Sequence, residues 1–282
     1  YLNRRPTTTV FLRLTSQSET SHMKKIILSL LLLLPLSVAA HTNDEVKDTD
    51  NNLLKAALKG WHVRLGAGFN LGGTSPLPLP AEIRKIESYQ PGLCFTVQGA
   101  AHKQFGEKKK WGLMLGLRFE SKGMKTDATV KNYHMEAVND DGSGTVRGAW
   151  TGKVKTEVNN NYLTIPVLAT YNFNERWMVK AGPYFSYMVN GTFKGSAYDG
   201  YIRDQEPTGT KTEVQSASYD FSDDLRRFQW GVQAGGAFKA YKHLSVSLDL
   251  TWGLNGIFPS DFQSVTFALY PIYGTLGFHY LF

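Results

Sequence analysis

The residues in this chain whose types could do chemistry do not cluster in one motif. They recur at every second position of apolar runs. Arg64, Arg118, Glu120, Lys180 and Asp249 share one side of such runs with Lys239, His62, His102 and His279. If that side faces a narrow enclosure, its charges must pair, because a buried ion without a partner costs several kcal/mol. Three kinds of chemistry are open to such a set. It can be a structural salt-bridge plug, the lining of a narrow or gated pore, or a proton-coupled or catalytic site. The first is expected here, with Arg64, Arg118, Glu120, Lys180 and Asp249 as the plug.

Other motifs resolve into ordinary structure. Gly66-Ala-Gly68-Phe-Asn-Leu-Gly72-Gly73 loosely matches a dinucleotide fingerprint, but that motif needs a helix N-terminus to hold the phosphates. Here the glycines alternate within an extended run that enters a Pro-rich segment. Asn139-Asp140-Asp141-Gly142-Ser143-Gly144 offers oxygen ligands but lacks the calcium-loop spacing and its closing Glu, so it reads as a hairpin tip. The histidines show no short metal-ligand spacing, and no G-x-S-x-G elbow marks a hydrolase. His134, Asp140, Asp141, Asp223 and Asp224 could serve a rim enzyme, yet their spacing selects no site. Cys94, the single cysteine, is expected to point inward as an unreactive filler. No catalytic, cofactor or metal set is expected.

The elements that position these residues begin after a targeting segment. Met23-Lys24-Lys25, the apolar run from Ile26 to Leu36 and the small residues Val38-Ala39-Ala40 have the form of a secretory signal peptide cut before His41. Residues 1–22 then read as an upstream extension, with Met23 as the start. The segment 41–60 reads as a periplasmic linker, and 61–282 as one β-barrel domain. The whole chain carries 31 Lys and Arg against 24 Asp and Glu, a net +7. Residues 1–40 hold five of those bases and one acid, so the remainder is about +3. That balance argues against a nucleic-acid partner. With one cysteine there is no internal disulfide, so stability must come from closed hydrogen bonding.

From Trp61 onward eight runs of about 10–14 residues alternate apolar and polar positions. Leu244 to Asn255 is the cleanest, with Leu244, Val246, Leu248, Leu250, Trp252 and Leu254 opposite Ser245, Ser247, Asp249, Thr251 and Asn255. The last run, Tyr270 to Phe282, closes on an aromatic face. Strands in soluble sandwiches average about 5–6 residues, whereas a tilted membrane-crossing strand needs about 9–11. The gaps at 106–110, 174–176 and 241–243 are short, and those at 72–91, 120–161 and 190–227 are long. The expected fold is all-β: an eight-stranded antiparallel up-and-down transmembrane barrel, with both ends of the domain on the short-turn, periplasmic side. Trp61, Trp111, Trp177, Tyr280 and Phe282 would anchor one headgroup interface. Thr151 to Val158 alternates without an apolar face, so strands three and four should extend beyond the membrane as a wet hairpin.

Three runs resemble a known family. Tyr162-Leu-Thr-Ile-Pro-Val-Leu-Ala-Thr-Tyr-Asn-Phe173 resembles the Ile-Pro strand of the PorT-like outer-membrane β-barrel proteins. Ala181-Gly-Pro-Tyr-Phe-Ser-Tyr187 resembles their Gly-Pro strand, and Phe228-Gln-Trp-Gly-Val-Gln-Ala-Gly-Gly236 their next strand, with Gln229 where that family favours Asp. The resemblance implies an eight-stranded porin-like barrel in the Gram-negative cell envelope, without enzyme activity. It further implies outer-membrane lipid as partner and contact with the barrel-assembly machinery through the C-terminal strand. The expected function is a structural or interaction platform with a plugged lumen, whose outer loops meet a surface ligand or an envelope protein. The alternatives are a small porin-like channel for solutes and a secretion-accessory barrel.

Overall fold

A computed structural model describes residues 60–139, 145–204, 207–262, 264–265 and 267–282. The extension 1–22, the signal peptide 23–40, nearly all of the linker 41–60 and the tip residues 140–144 lie outside the described residues. Ten strands form: β1 Trp61–Pro76, β2 Ile83–Pro91, β3 Cys94–Phe105, β4 Trp111–Asn139, β5 Thr145–Asn172, β6 Trp177–Asp204, β7 Lys211–Asp220, β8 Phe228–Lys239, β9 Leu244–Gly253 and β10 Leu269–Leu281.

Strand β9 shows why a closed barrel results. Leu244, Leu248, Leu250 and Trp252 stand exposed on its outer side, while Ser245, Ser247, Asp249 and Thr251 are buried on the other. With its polar side buried, the sheet curls that side inward and closes on itself so that no edge is left unpaired. Eight strands do so in the order β1-β3-β4-β5-β6-β8-β9-β10, every pair antiparallel. The ring closes between β1 and β10, from Arg64 opposite Leu281 to Pro76 opposite Leu269. The alternation and the barrel order thus follow the sequence reading.

The short turns carry their own chemistry. Asn174 Oδ1 accepts the backbone N–H groups of Arg176 and Trp177, each at 2.8 Å, and so reverses the chain in three residues. Around this end aromatic rings pack edge to face: Trp111 on Tyr171 at 4.9 Å and Tyr280 on Phe282 at 4.9 Å. Trp177 leans on Phe238 at 4.7 Å.

Strands β4, β5 and β6 run 29, 28 and 28 residues, against 10 to 16 for the other five in the ring. At ~3.3 Å per residue they extend for about 90 Å. Beyond the barrel they form a second, smaller ring. β5 joins β4 and β6 there, β7 pairs with β6 from Lys194 opposite Asp220 to Arg203 opposite Lys211, and β7 reaches β4 at Val138 and Asn139. β2 lies along β4 between Met124 and Val130. Both β2 and β7 fall in stretches that the sequence pattern assigns to loops.

The interior of this outer ring corrects the expectation of a wet hairpin. Trp150, Val154 and Val158 are buried in an apolar cluster with Met124, Val130, Phe193 and Ala197. The inward positions of Thr151 to Val158 are spaced by four because Thr156, between them, is polar. Its hydroxyl lies 2.7 Å from the Tyr219 hydroxyl, which itself donates to the Lys155 carbonyl at 2.9 Å. An apolar face was present, with one satisfied polar group in it. Three irregularities also shift the parity. β6 carries an extra residue between Met188 and Asn190, and Asn132 and Asp199 adopt positive φ at further shifts.

Candidate functional site

The centre of the barrel interior is a hydrogen-bonded array, built from inward positions of β3, β4, β5, β6, β8, β9 and β10. Glu120 on β4 is fully buried and lies at its centre. Arg118 Nε is 3.0 Å from its Oε2, Lys122 Nζ is 3.0 Å from Oε1, and Thr164 Oγ1 donates to Oε1 at 2.7 Å. With its proton committed to Glu120, Thr164 accepts from Ser186 Oγ at 2.7 Å. Arg118 also donates to Gln233 Oε1 at 3.2 Å, and Gln233 Nε2 passes on to Asp249 Oδ1 at 3.2 Å. Asp249 Oδ2 takes Lys180 Nζ at 2.9 Å and Ser247 Oγ at 3.0 Å.

The donor count fixes the imidazoles. Ser247 gives its proton to Asp249, so His279 Nε2–H donates to Ser247 at 2.9 Å and its Nδ1 accepts from Gln98 Nε2 at 3.4 Å. His102 likewise accepts from Arg64 Nη2 at Nδ1, 3.4 Å, and meets Thr170 Oγ1 at Nε2, 2.9 Å. Both rings are neutral Nε2–H tautomers in this arrangement. Ser247, His279 and Asp249 thus sit together without forming a catalytic triad. In a triad the carboxylate holds the imidazole and the imidazole deprotonates the serine. Here Asp249 takes the serine proton directly, and all three are buried.

Above this array, at the start of the apolar ring, Lys122 Nζ faces three tyrosine rings: Tyr184 at 5.3 Å, Tyr162 at 5.5 Å and Tyr273 at 5.6 Å. A cation between π faces and one carboxylate closes the polar zone before Met124, Val158, Ile257 and Leu269 take over. At the opposite, short-turn end lies a cavity of about 250 Å³ lined by His62, Arg64, His102, Gln104, Arg176 and Lys239 among others.

The outer surface divides in the same place. Around the barrel it is a belt of exposed Leu65, Phe69, Phe95, Val97, Leu250 and Phe278. Around the outer ring it carries cross-strand ion pairs, Lys125 with Glu157 at 2.9 Å and Lys194 with Asp220 at 3.0 Å. There the Ser222 hydroxyl and Lys194 hold the Asp220 carboxyl below its ordinary range. Tyr198 donates to Asp127 Oδ2 at 2.5 Å, and that bond to a carboxylate pushes the phenol up to about 12.

Residues 43–259 match the family described as outer membrane protein beta-barrel domain. The chain belongs to that family. Its belt is therefore in contact with outer-membrane lipid. No curated protein is similar to the chain. Among solved structures it is similar to Ail, the attachment invasion locus protein of Yersinia pestis, in complex with the heparin analogue sucrose octasulfate. The two share 11% identity over 79% of this chain and 99% of that one, with a TM-score of 0.36. Neisserial surface protein A matches at 10% identity over 79% and 98%, TM-score 0.26. A Pseudomonas aeruginosa FadL homologue matches at 7% over 79% and 89%, TM-score 0.20. At these identities and scores the likenesses carry no function across.

The five residues expected to plug this outer-membrane barrel are all buried in its interior. Arg118 and Glu120 meet directly, as do Lys180 and Asp249, and Gln233 joins the two pairs. Arg64 stands apart, against His102. Of the other inward positions, His102 and His279 are buried, while His62 and Lys239 are exposed at the short-turn cavity. Trp61, Trp111, Trp177, Tyr280 and Phe282 all lie at the short-turn end of the belt, Trp61 within 5.9 Å of Lys103 Nζ and the other four well exposed. Cys94 is buried and inward. Sequence reasoning missed Lys122, Thr164, Gln233 and Ser247 as network members. The signal for Lys122 was there: stepping in twes from Arg118 and Glu120 reaches it, had the strand not been ended at Phe119. Among the described residues no group of three or more His, Cys, Asp or Glu is placed to hold a metal.

Proposed function

We propose that this chain is an outer-membrane platform: a barrel with a plugged lumen that holds a folded outer head against a surface ligand or envelope protein. The observation that carries the reading is the apolar interior of the outer ring. Loops that merely cap a barrel need no core of their own, whereas Trp150, Phe193, Tyr219 and Phe258 give this one a fixed shape. The continuous array from Gln98 to Ser186 supports a plug, since opening a water path would break several charge-assisted bonds. Short turns facing the periplasm and the head facing outward suit this reading, as does the resemblance of the Ile-Pro and Gly-Pro strands to those of PorT-like barrels.

Planar-bilayer recording of the refolded chain is the test. Silence from protein with heat-modifiable gel mobility is expected. Steady, reproducible conductance would replace the platform with a small porin-like channel. Orientation is read separately by Lys155→Cys, because Cys94 is buried: a membrane-impermeant maleimide should label intact cells at that position.

A further inference from the structure

The buried charges of the interior do not balance. Four cations, Arg64, Arg118, Lys122 and Lys180, are buried against two carboxylates, Glu120 and Asp249. Three of the cations touch those carboxylates at 3.0 Å or less. Arg64 touches neither. It is 8% exposed, its Nε has no hydrogen-bond partner, and among the described residues no carboxylate lies within 4.0 Å of it. Its hydrogen bond to neutral His102 supplies no counter-charge.

This arginine lines the cavity at the short-turn end. Arg176 and Lys239 add two exposed cations at the mouth, Gln104 adds an amide, and Glu175 is the one carboxylate in the lining. Drug-sized ligands occupy pockets of roughly 300–1,000 Å³, so about 250 Å³ suits something smaller. A planar guanidinium that lines the cavity and has no carboxylate partner matches the oxygens of a tetrahedral anion.

We propose that the cavity at the short-turn mouth binds a phosphate oxyanion, held by Arg64 from within and by Arg176 and Lys239 at the rim. The group can arrive as free phosphate or on the headgroup of a phospholipid. Either source would supply the negative charge that the interior lacks. The site is independent of whether the outer head is a platform.

Calorimetric titration of the purified full chain in nonionic detergent, at constant ionic strength, decides it. Inorganic phosphate should bind saturably at one site, and acetate should compete poorly. Arg64→Gln should weaken phosphate by about tenfold or more, as loss of a charge-assisted bond requires. Should that variant not fold, Arg176→Gln with Lys239→Gln, on exposed turn ends, should still weaken binding about fivefold. Tighter binding of glycerophosphoethanolamine than of phosphate would identify the lipid headgroup as the source, and the reverse would identify the free ion. Absence of saturable phosphate binding, equal displacement by acetate, or unchanged affinity in the folded variants would overturn the site.

Discussion

The lower and upper halves of β4, β5 and β6 are built on opposite plans. In the barrel the strands turn Leu115, Phe119, Ile165 and Phe185 outward and Arg118, Glu120, Thr164 and Lys180 inward. A few residues further along they turn Lys125, Lys155 and Lys194 outward and Met124, Val154 and Phe193 inward. Both are antiparallel sheet. What changes is the medium on the outside, and the interior is complementary to it. Lipid accepts apolar side chains, which leaves the polar set to satisfy itself within. Water accepts the charges, and burial of apolar area then stabilises the head at about 25 cal/mol per Å². The two plans meet at the tyrosine rings around Lys122.

The sharpest way to break the comparison is through the polar interior. Glu120→Gln keeps the shape of the side chain and removes its charge. Arg118 and Lys122 would then be buried without their shared carboxylate, and breaking such a pair costs about 3–5 kcal/mol. Urea unfolding from liposomes should show a loss near the top of that range. A loss under 1 kcal/mol would mean that the array does not hold the barrel.

The apolar interior should fail differently. Trp150→Ala removes a fully buried indole, and such truncations cost about 3–5 kcal/mol. The loss should be local: limited proteolysis should open the β4–β5 hairpin while heat-modifiable mobility of the barrel persists. Gly152 and Gly200 lie against that indole, and a Cβ added at Gly200 would stand 2.8 Å from Trp150 Cζ2 and 2.8 Å from Gly152 Cα. Joint melting of head and barrel in Trp150→Ala would show that the two halves share one cooperative unit.

The outer surfaces give a smaller contrast. Leu248 is 67% exposed on the belt, and Leu248→Arg should cost about 2–4 kcal/mol near the bilayer midplane. Ser247→Ala on the neighbouring inward side should cost about 1–3 kcal/mol for a different reason, since it takes a donor from Asp249 and leaves His279 Nε2–H without its acceptor. On the head, Lys155→Leu should stay within about 0.5 kcal/mol. Equal costs for Leu248→Arg and Lys155→Leu would mean that the belt and head do not face different media.

Much of the barrel was legible because its period-two signal runs unbroken for ten or more residues, as in Leu244 to Gly253. Strand length, more than alternation, pointed to a membrane. The head was not legible for reasons of the same kind. The extra residue after Met188 moves the inward set of β6 from Lys180, Tyr184 and Ser186 to Phe193 and Ala197, so no single register spans the strand. Thr156 interrupts the apolar face of β5, and its satisfaction by Tyr219 depends on a strand 63 residues away. Within the lumen, charged residues were visible as inward positions. Their pairing was not, because Arg118 reaches Asp249 only through Gln233, a contact set by barrel closure.

The smallest effect sharpens the comparison from the head's outer face. Tyr198 on β6 reaches over β5 to donate to Asp127 on β4, and the hydrogen bond to that carboxylate raises the phenol from about 10 to about 12. A folded pKa above the unfolded one means that the bond stabilises the head fully below about pH 10 and that the contribution is lost as pH rises through about 12. Tyrosinate absorbance should therefore include a phenol titrating near pH 12, and Asp127→Asn should return it toward the ordinary value. The pair is half-buried at the surface, so the shift should shrink only in part in high salt. A late phenol that ignores both Asp127→Asn and salt would belong to a buried ring such as Tyr219, whose ionisation is suppressed by burial rather than by a partner.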